Sequence, residues 1–479
     1  MSSKSTIPNT LQQKFQELPT PSLFKSIAIN GLILFVFYEF FFHSDNRPLD
    51  LSLSFAKSSD CRNSTTNSPT NLSHIGFIVI GSLNSWKHRK AYTESWWRPN
   101  VTRGYVFLDK EPTQEFLPWP STSPPYQINY DVTKLRPYPK IVSSARMVDS
   151  ILHMYRVGYK GLRWLIMCDD DTLFFVDNLV EVLQKYDHTK YIYVGGNSES
   201  IKPNARCSFD MGFGGAGYAL SYPLGEALSK KLHDCIERYS WYLSDHLAQS
   251  CLADIGVSPN LEKGFHQIDL RNDISGLLSS HPQSPLLSLH HFDVIDPLFP
   301  SKDRYESIQH LMKAAKFDQS RMLQQTICYQ RETNWSFSVS WGYSTHIYES
   351  IIPRSILRKP LETFRPWDRI SRPPHFMFNT RWPTNNSCET PHVFFFKSVE
   401  YTPDNQVLTT YVRSSPRNLP PCSATGSHSA DPISRIQVFS PSGTRKRYEV
   451  IECCDVEYEV ETNVAGVKMR SCMKDEVIA

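Results

Sequence analysis

Residues Trp164 to Thr172 read Trp-Leu-Ile-Met-Cys-Asp-Asp-Asp-Thr, an apolar run that ends in three adjacent carboxylates, Asp169, Asp170 and Asp171. Neighbouring carboxylates at the end of a buried strand repel one another and lose hydration, so a folded chain keeps them there when a cation neutralises them. In extended backbone alternate side chains share a face, which puts Asp169 and Asp171 together and turns Asp170 the other way. Oxygen ligands without thiolates suit Mn²⁺ or Mg²⁺, ions that complete their shell with phosphate and water. The plainer explanation is an acidic helix start. Asp177, however, precedes the apolar spacing Leu179, Val182, Leu183 and Tyr186 and is expected to cap that helix itself.

Three other stretches carry groups of chemical use. Met211 to Ser221 holds four glycines ahead of a helix expected over Tyr222 to Leu232, which would let backbone approach a ligand closely. Its spacing fits neither a phosphate loop nor the dinucleotide fingerprint. Asp245 precedes Leu247, Cys251 and Leu252 and reads at this level as a helix N-cap. His266, His290 and His291 lie near carboxylates Asp269 and Asp293, and one of the three could complete the shell of an ion held by the aspartates.

The elements that must position these groups read as an α/β domain. His74 to Gly81 is a buried strand, Trp86 to Trp97 a helix and Gly104 to Asp109 a second strand, together a βαβ unit. Ligands bind at the carboxyl ends of such strands, so Gly81 to Asn84 and Asp109 should border the same crevice as the triple Asp. A helix over Lys140 to Val157 leads into the carboxylate strand, and Tyr191 to Val194 is a further strand. Past Phe317 short alternating runs separated by Pro, Asn and Ser predict a mainly β region braced by disulfides.

Net charge is only +3, without a basic run, which argues against nucleic acid as a partner. Residues 1–22 read as a polar tail. Leu23 to Phe42 is long and apolar enough for a membrane-spanning signal anchor, with Lys4, Lys14 and Lys25 placing the N-terminus in the cytosol. Residues 43–73 read as a stem, followed by a globular domain over 74–316 and the β region over 317–479. Sequons begin at Asn63, Asn71, Asn100, Asn334 and Asn385. No spacing among the eleven cysteines fits structural zinc, and an odd number leaves a free thiol, expected to be Cys168.

Trp-x-x-x-x-Asp-Asp-Asp at Trp164 to Asp171, Gly-Gly-Ala-Gly-Tyr at Gly214 to Tyr218, Ser244-Asp245 and Ser-Leu-His-His at Ser288 to His291 resemble, in order and spacing, Fringe-related β-1,3-glycosyltransferases of family 31. The resemblance covers about residues 74–310. With Ser338-Val-Ser-Trp-Gly-Tyr and Phe378-Asn-Thr-Arg it is closest to a plant subfamily of unknown function. It implies a GT-A, Rossmann-like fold, a UDP-sugar donor, a glycan or glycoprotein acceptor, Mn²⁺, and a type II Golgi membrane protein with a lumenal catalytic domain.

By residue, the resemblance puts the metal on Asp169 and Asp171, with His290 as third ligand by analogy to core-1 galactosyltransferase relatives; the Phe-His motif of Fringe itself would favour His266. It puts donor and acceptor contacts at Asp109, Asp170, Gly214, Gly215, Ala216 and Gly217. The catalytic base falls on Asp245, although the family's acidic pair is here Ser244-Asp245. The expected reaction is direct displacement at the anomeric carbon, moving a hexose of galactose or N-acetylglucosamine type. A glycoside hydrolase would need two acids facing across a sugar, which contiguous aspartates do not provide. The rival of another class is a decayed transferase that serves as a glycan-binding scaffold.

Overall fold

The computed structural model describes residues 68–476, apart from 136–138, 282–283, 370–371, 427, 444–451 and 460–461. The expected tail and anchor, and the stem as far as residue 67, lie outside the described residues. Among the described residues no helix is long and apolar enough to cross a membrane.

The first sheet has seven strands in the order β3-β2-β1-β4-β7-β6-β8. They are β1 (Ile75–Ile80), β2 (Arg103–Leu108), β3 (Tyr126–Ile128), β4 (Trp164–Asp169), β6 (Tyr193–Gly195), β7 (Tyr218–Ser221) and β8 (Pro259–Leu261). β1 lies inside the sheet next to the central β4, parallel to β2 and to β4, and its residues Ile75, Phe77, Ile78 and Val79 are wholly buried. Such all-apolar strands belong inside a sheet covered on both faces. The sheet is mixed, because β7 runs antiparallel to both β4 and β6. Gly104 lets β2 approach β1: at φ +144° a Cβ there would stand 2.1 Å from the Phe77 carbonyl oxygen.

The helix after β1 spans Leu83–Trp96 and starts earlier than the sequence predicts, because Ser82 and Ser85 form a reciprocal cap. Val142–Val157 covers the other face and ends at Gly158, in the left-handed region at φ 63°. Two expectations are corrected. The helix Val176–Leu183 has Phe175 as its N-cap, so Asp177 lies inside the first turn, paired with Arg98 at 2.6 Å. The single helix expected over Tyr222 to Leu232 is two, Tyr222–Ser229 and Leu232–Arg238; the second carries Cys235 into a disulfide with Cys251.

A small sheet of β5 (Leu173–Phe174), β9 (Phe265–His266) and β11 (Ser288–Leu289) sits beside the carboxyl end of β4. Beyond the helix Arg304–Phe317 the chain forms an eight-stranded sheet whose neighbours run β12 (Gln325–Gln330), β13 (Trp335–Ser340), β14 (Ser344–Tyr348), β16 (His392–Tyr401), β17 (Gln406–Arg413), β18 (Arg435–Pro441), β20 (Val464–Ser471) and β19 (Glu452–Glu459). The apolar core passes from one sheet to the other without a break. Phe299, for instance, packs at 5.4 Å from Tyr343 and 6.1 Å from Phe395. A segment of the later region returns to the first: β15 (Phe364–Pro366) pairs antiparallel with β10 (Leu270–Asn272), and Ser200 bridges to Phe376.

Four disulfides close the described chain, three of them in the eight-stranded region: Cys328–Cys454, Cys388–Cys422 and Cys453–Cys472. Cys168 is unpaired and buried, as expected. Cys207 is also unpaired among the described residues.

Cys328–Cys454 spans 126 residues and ties β12 (Gln325–Gln330) to β19 (Glu452–Glu459). A link over so long a loop restricts the unfolded chain, so replacing both cysteines by Ala is expected to lower stability by about 2–5 kcal/mol. Denaturant unfolding of the double variant measures it; a midpoint equal to wild type would contradict the expectation.

Candidate metal and catalytic site

The carboxylate turn is held by its own Thr. The Asp169 amide donates to Thr172 Oγ1 at 3.0 Å, and that hydroxyl donates to the Gly215 carbonyl at 2.8 Å, tying the aspartates to the glycine-rich turn. Asp170 N donates to Ile80 O, so the chain leaves β4 still alongside β1.

Strand pairing brings in the histidine. Leu289 of β11 lies opposite Leu173 of β5, so His290 and Asp171 leave the same small sheet at the same edge. His290 Nε2 is 3.1 Å from Asp171 Oδ1 and 3.6 Å from Asp169 Oδ2, and the ligand atoms of the three residues lie within 4.8 Å of one another. Asp170 faces away, accepting from Ser85 Oγ and from Arg89 Nη1. Arg89 also stands 3.3 Å from Asp171 and 2.7 Å from Asp293, whose other oxygen accepts from Tyr92 Oη. The sequence puts Arg89 inside the helix expected over Trp86 to Trp97, and its one signal there is a cation on the first helix after β1, at the crevice end.

Asp171 is wholly buried, and among the described residues its oxygens accept no well-aligned hydrogen bond, with His290 Nε2 and Arg89 Nη1 standing 3.1 and 3.3 Å from Oδ1. Burial pushes its pKa up, but His290 and Arg89 outweigh burial and hold it well below the usual carboxylate range. Burial would lower His290, but Asp171 and Asp169 raise it to about 9. Asp169, the most exposed of the set, is raised by burial and by the other carboxylates, with His290 opposing. A buried carboxylate met only by two cationic side chains, converging with a second carboxylate and an imidazole, fits a divalent cation.

The other histidines go elsewhere. His266 Nδ1 contacts Glu199 and its Nε2 contacts His281, each at 2.8 Å, so the alternative drawn from Fringe is not the one the carboxylates meet. His291 takes a left-handed backbone at φ 63° and lies 3.1 Å from Asp269 Oδ1.

Asp245 is not a cap: Leu243 holds the N-cap of the helix Ser244–Ala253, and Asp245 stands in its first turn. Its Oδ1 is buried and accepts no well-aligned hydrogen bond among the described residues, and burial raises its pKa to about 6, against lowering by the Gly214 amide and His290. It is close enough to Asp169 to raise that carboxylate. Asp109 accepts from the Leu83 amide at 2.7 Å, so one of its oxygens serves the start of the first helix.

The glycine-rich turn is buried, and its own protein neighbours already require glycine there. A Cβ on Gly215 would lie 2.2 Å from the His290 ring, and one on Gly214 would lie 2.3 Å from Asp245 Oδ1. Gly217, at φ +89°, packs against Phe174. Ala216 is bonded on both sides, its amide to Gln267 Oε1 and its carbonyl to the Ser288 hydroxyl. The turn therefore makes room for the site's own side chains.

Trp367 was not foreseen. Its ring stacks on His291 at 4.7 Å, and His291 in turn lies 3.9 Å from His290. Its amide donates to the Asp269 carbonyl at 3.0 Å. Nothing local in the sequence marks it, because it reaches the site through the β10–β15 pairing.

Residues 93–269 match the family described as Fringe-like. Residues 203–454, a little over half of the chain, match the family described as "Protein of unknown function, DUF604". The aspartate cluster lies in the first stretch, His290 and Trp367 in the second, and Asp245 in both. No curated protein matches the chain. Among solved structures it is similar to core-mannan synthase A from Aspergillus fumigatus in a Mn/GDP form, at 10% identity over 40% of this chain and 71% of that one, with a TM-score of 0.23. That likeness is too low to carry any argument. The family matches decide: the chain belongs to the DUF604 family and is a Fringe-related glycosyltransferase family member.

Proposed function

We propose that this protein is a metal-dependent, inverting glycosyltransferase with a GT-A core, moving a hexose of galactose or N-acetylglucosamine type from a UDP-sugar to a hydroxyl of a glycan or glycoprotein, with β-1,3 linkage. The observation that carries the reading is the convergence of Asp169 and His290 on Asp171, a wholly buried carboxylate whose oxygens accept no well-aligned hydrogen bond among the described residues. These three residues would hold the ion, Mn²⁺ by the family resemblance, with Mg²⁺ the other hard cation suited to the set. When bound, the cation supplies neutralisation of the diphosphate leaving group.

The chain's own residues do the rest. Arg89 balances Asp170, Asp171 and Asp293 and so keeps the aspartates oriented without metal. Asp245, with its pKa raised to about 6, is a carboxylate of increased basicity, suited to take the proton from the attacking acceptor hydroxyl. Gly214 and Gly215 leave the space in which Asp245 and His290 stand. The anchor over 23–42 and a Golgi lumenal location belong to the same reading, supported by four disulfides of the kind that persist in oxidising compartments.

The experiment that tests this reading is a panel of UDP-sugars with the purified protein and Mn²⁺, scored by UDP release. Binding of Mn²⁺ and UDP without turnover of any sugar would favour the decayed scaffold.

Asp171→Ala removes the buried ligand and is expected to abolish metal-dependent UDP binding; titration calorimetry that shows unchanged affinity sinks the metal assignment. Gly215→Ala forces the His290 ring to move, and a disturbed ligand position typically costs about 10- to 100-fold in metal affinity. Here the readout is Mn²⁺ titration at unchanged circular dichroism. Asp245→Asn should leave Mn²⁺ and UDP binding intact while turnover falls by ~100 to 10,000-fold, the usual share of a general base. It should not destabilise the fold, since a half-buried charge is replaced by a neutral amide and no cap is lost. Wild-type turnover in that variant would move the base to another carboxylate.

A further inference from the structure

The strand pair that carries Trp367 to the site has an unusual register. Arg271 of β10 and Arg365 of β15 are direct cross-strand partners, and both are exposed. Directly opposed residues project from the same face, and like charges placed there destabilise a sheet. Among the described residues no carboxylate comes within ion-pair reach of either one. The flanking pairs, Leu270 with Pro366 and Asn272 with Phe364, bury Leu270 and Phe364 on the other face, so the register cannot slip without exposing them.

Arg271 is also oriented in advance. Its Nε donates to the Trp367 carbonyl at 3.0 Å and its guanidinium lies over the Trp367 ring at 4.5 Å. That fixes the plane of the guanidinium and leaves its Nη donors without a hydrogen-bond partner among the described residues, the arrangement that receives a carboxylate or sulfate through paired hydrogen bonds. From Arg271 the contacts run through Trp367 and His291 to His290. The two arginines thus sit a few side chains from the proposed metal site, on a segment that the later part of the chain lends to the transferase core.

We propose that the acceptor is an anionic glycan, whose sugar carboxylate or sulfate ester is held by Arg271 and Arg365 while its hydroxyl is presented to the site at Asp245. An anion between the two guanidinium groups removes the repulsion that the register builds in. This rests on the reading of the site as a sugar transferase.

The test uses the full chain in detergent, with UDP and Mn²⁺ present, and three probes of equal length: a galacturonate oligosaccharide, its methyl ester, and a sulfated galactose oligosaccharide. The galacturonate or the sulfated probe is expected to bind about 10- to 100-fold more tightly than the neutral ester, as charge-assisted hydrogen bonds provide. Arg365→Gln, an exposed change with no packing to lose, should remove most of that preference and leave UDP affinity as it was. Arg271→Gln should do the same.

Equal binding of ester and acid by the wild type overturns the proposal, as does a preference that survives Arg365→Gln. So does arginine-dependent binding of phosphatidylserine vesicles without binding of either acidic sugar, which would assign the pair to a membrane surface. Loss of UDP and Mn²⁺ binding in the wild type itself would instead overturn the transferase reading beneath.

Discussion

A carboxylate taken wholly out of water costs several kcal/mol unless cations or hydrogen-bond donors compensate it. Asp171 is such a group, and most of the site can be understood as compensation for it. His290 and Arg89 approach it from opposite directions in the chain, one from the far end of the transferase core and the other from the first helix. Each is shifted toward its charged form by the aspartates. Two cationic side chains against three clustered carboxylates, with Asp293 a further anion on Arg89, leave net negative charge at the carboxyl end of β4. That is a place for a divalent ion.

The same demand explains the glycines. A turn that must pass between a buried imidazole and a half-buried carboxylate has no room for a Cβ on either side, and Gly214 and Gly215 are the two positions where one would strike Asp245 or His290. Thr172 joins that turn to the aspartates through one hydroxyl. The aspartates, His290, Asp245 and the glycine turn are thus connected by short protein contacts, and a displacement in one is passed to the others. Precision here comes from packing.

The later region contributes to the site as well as to the core. β15 crosses to pair with β10, and its following residue Trp367 packs on His291 beside His290. This gives a physical reason for the site being divided between the two family matches: the Fringe-like stretch supplies the aspartates and Asp245, whereas His290 and Trp367 fall only in the DUF604 stretch.

Sequence alone determined the first sheet's central strands, the end of β4 as a charged site, and the separation of Asp170 from Asp169 and Asp171. These follow from local chemistry: apolar runs must be buried, strand side chains alternate, and adjacent carboxylates need a cation. Cys168 as a buried thiol was legible for the same reason. Only the tertiary structure decided among His266, His290 and His291, because strand pairing settles which imidazole meets Asp171, and all three stand beside carboxylates in the sequence. It alone moved Asp177 and Asp245 from caps into first turns, since a cap depends on the dihedral angles of the residue before the helix. It alone revealed Arg89 and Trp367 at the site and Arg271 opposite Arg365, because long-range register leaves no trace in the spacing of either strand.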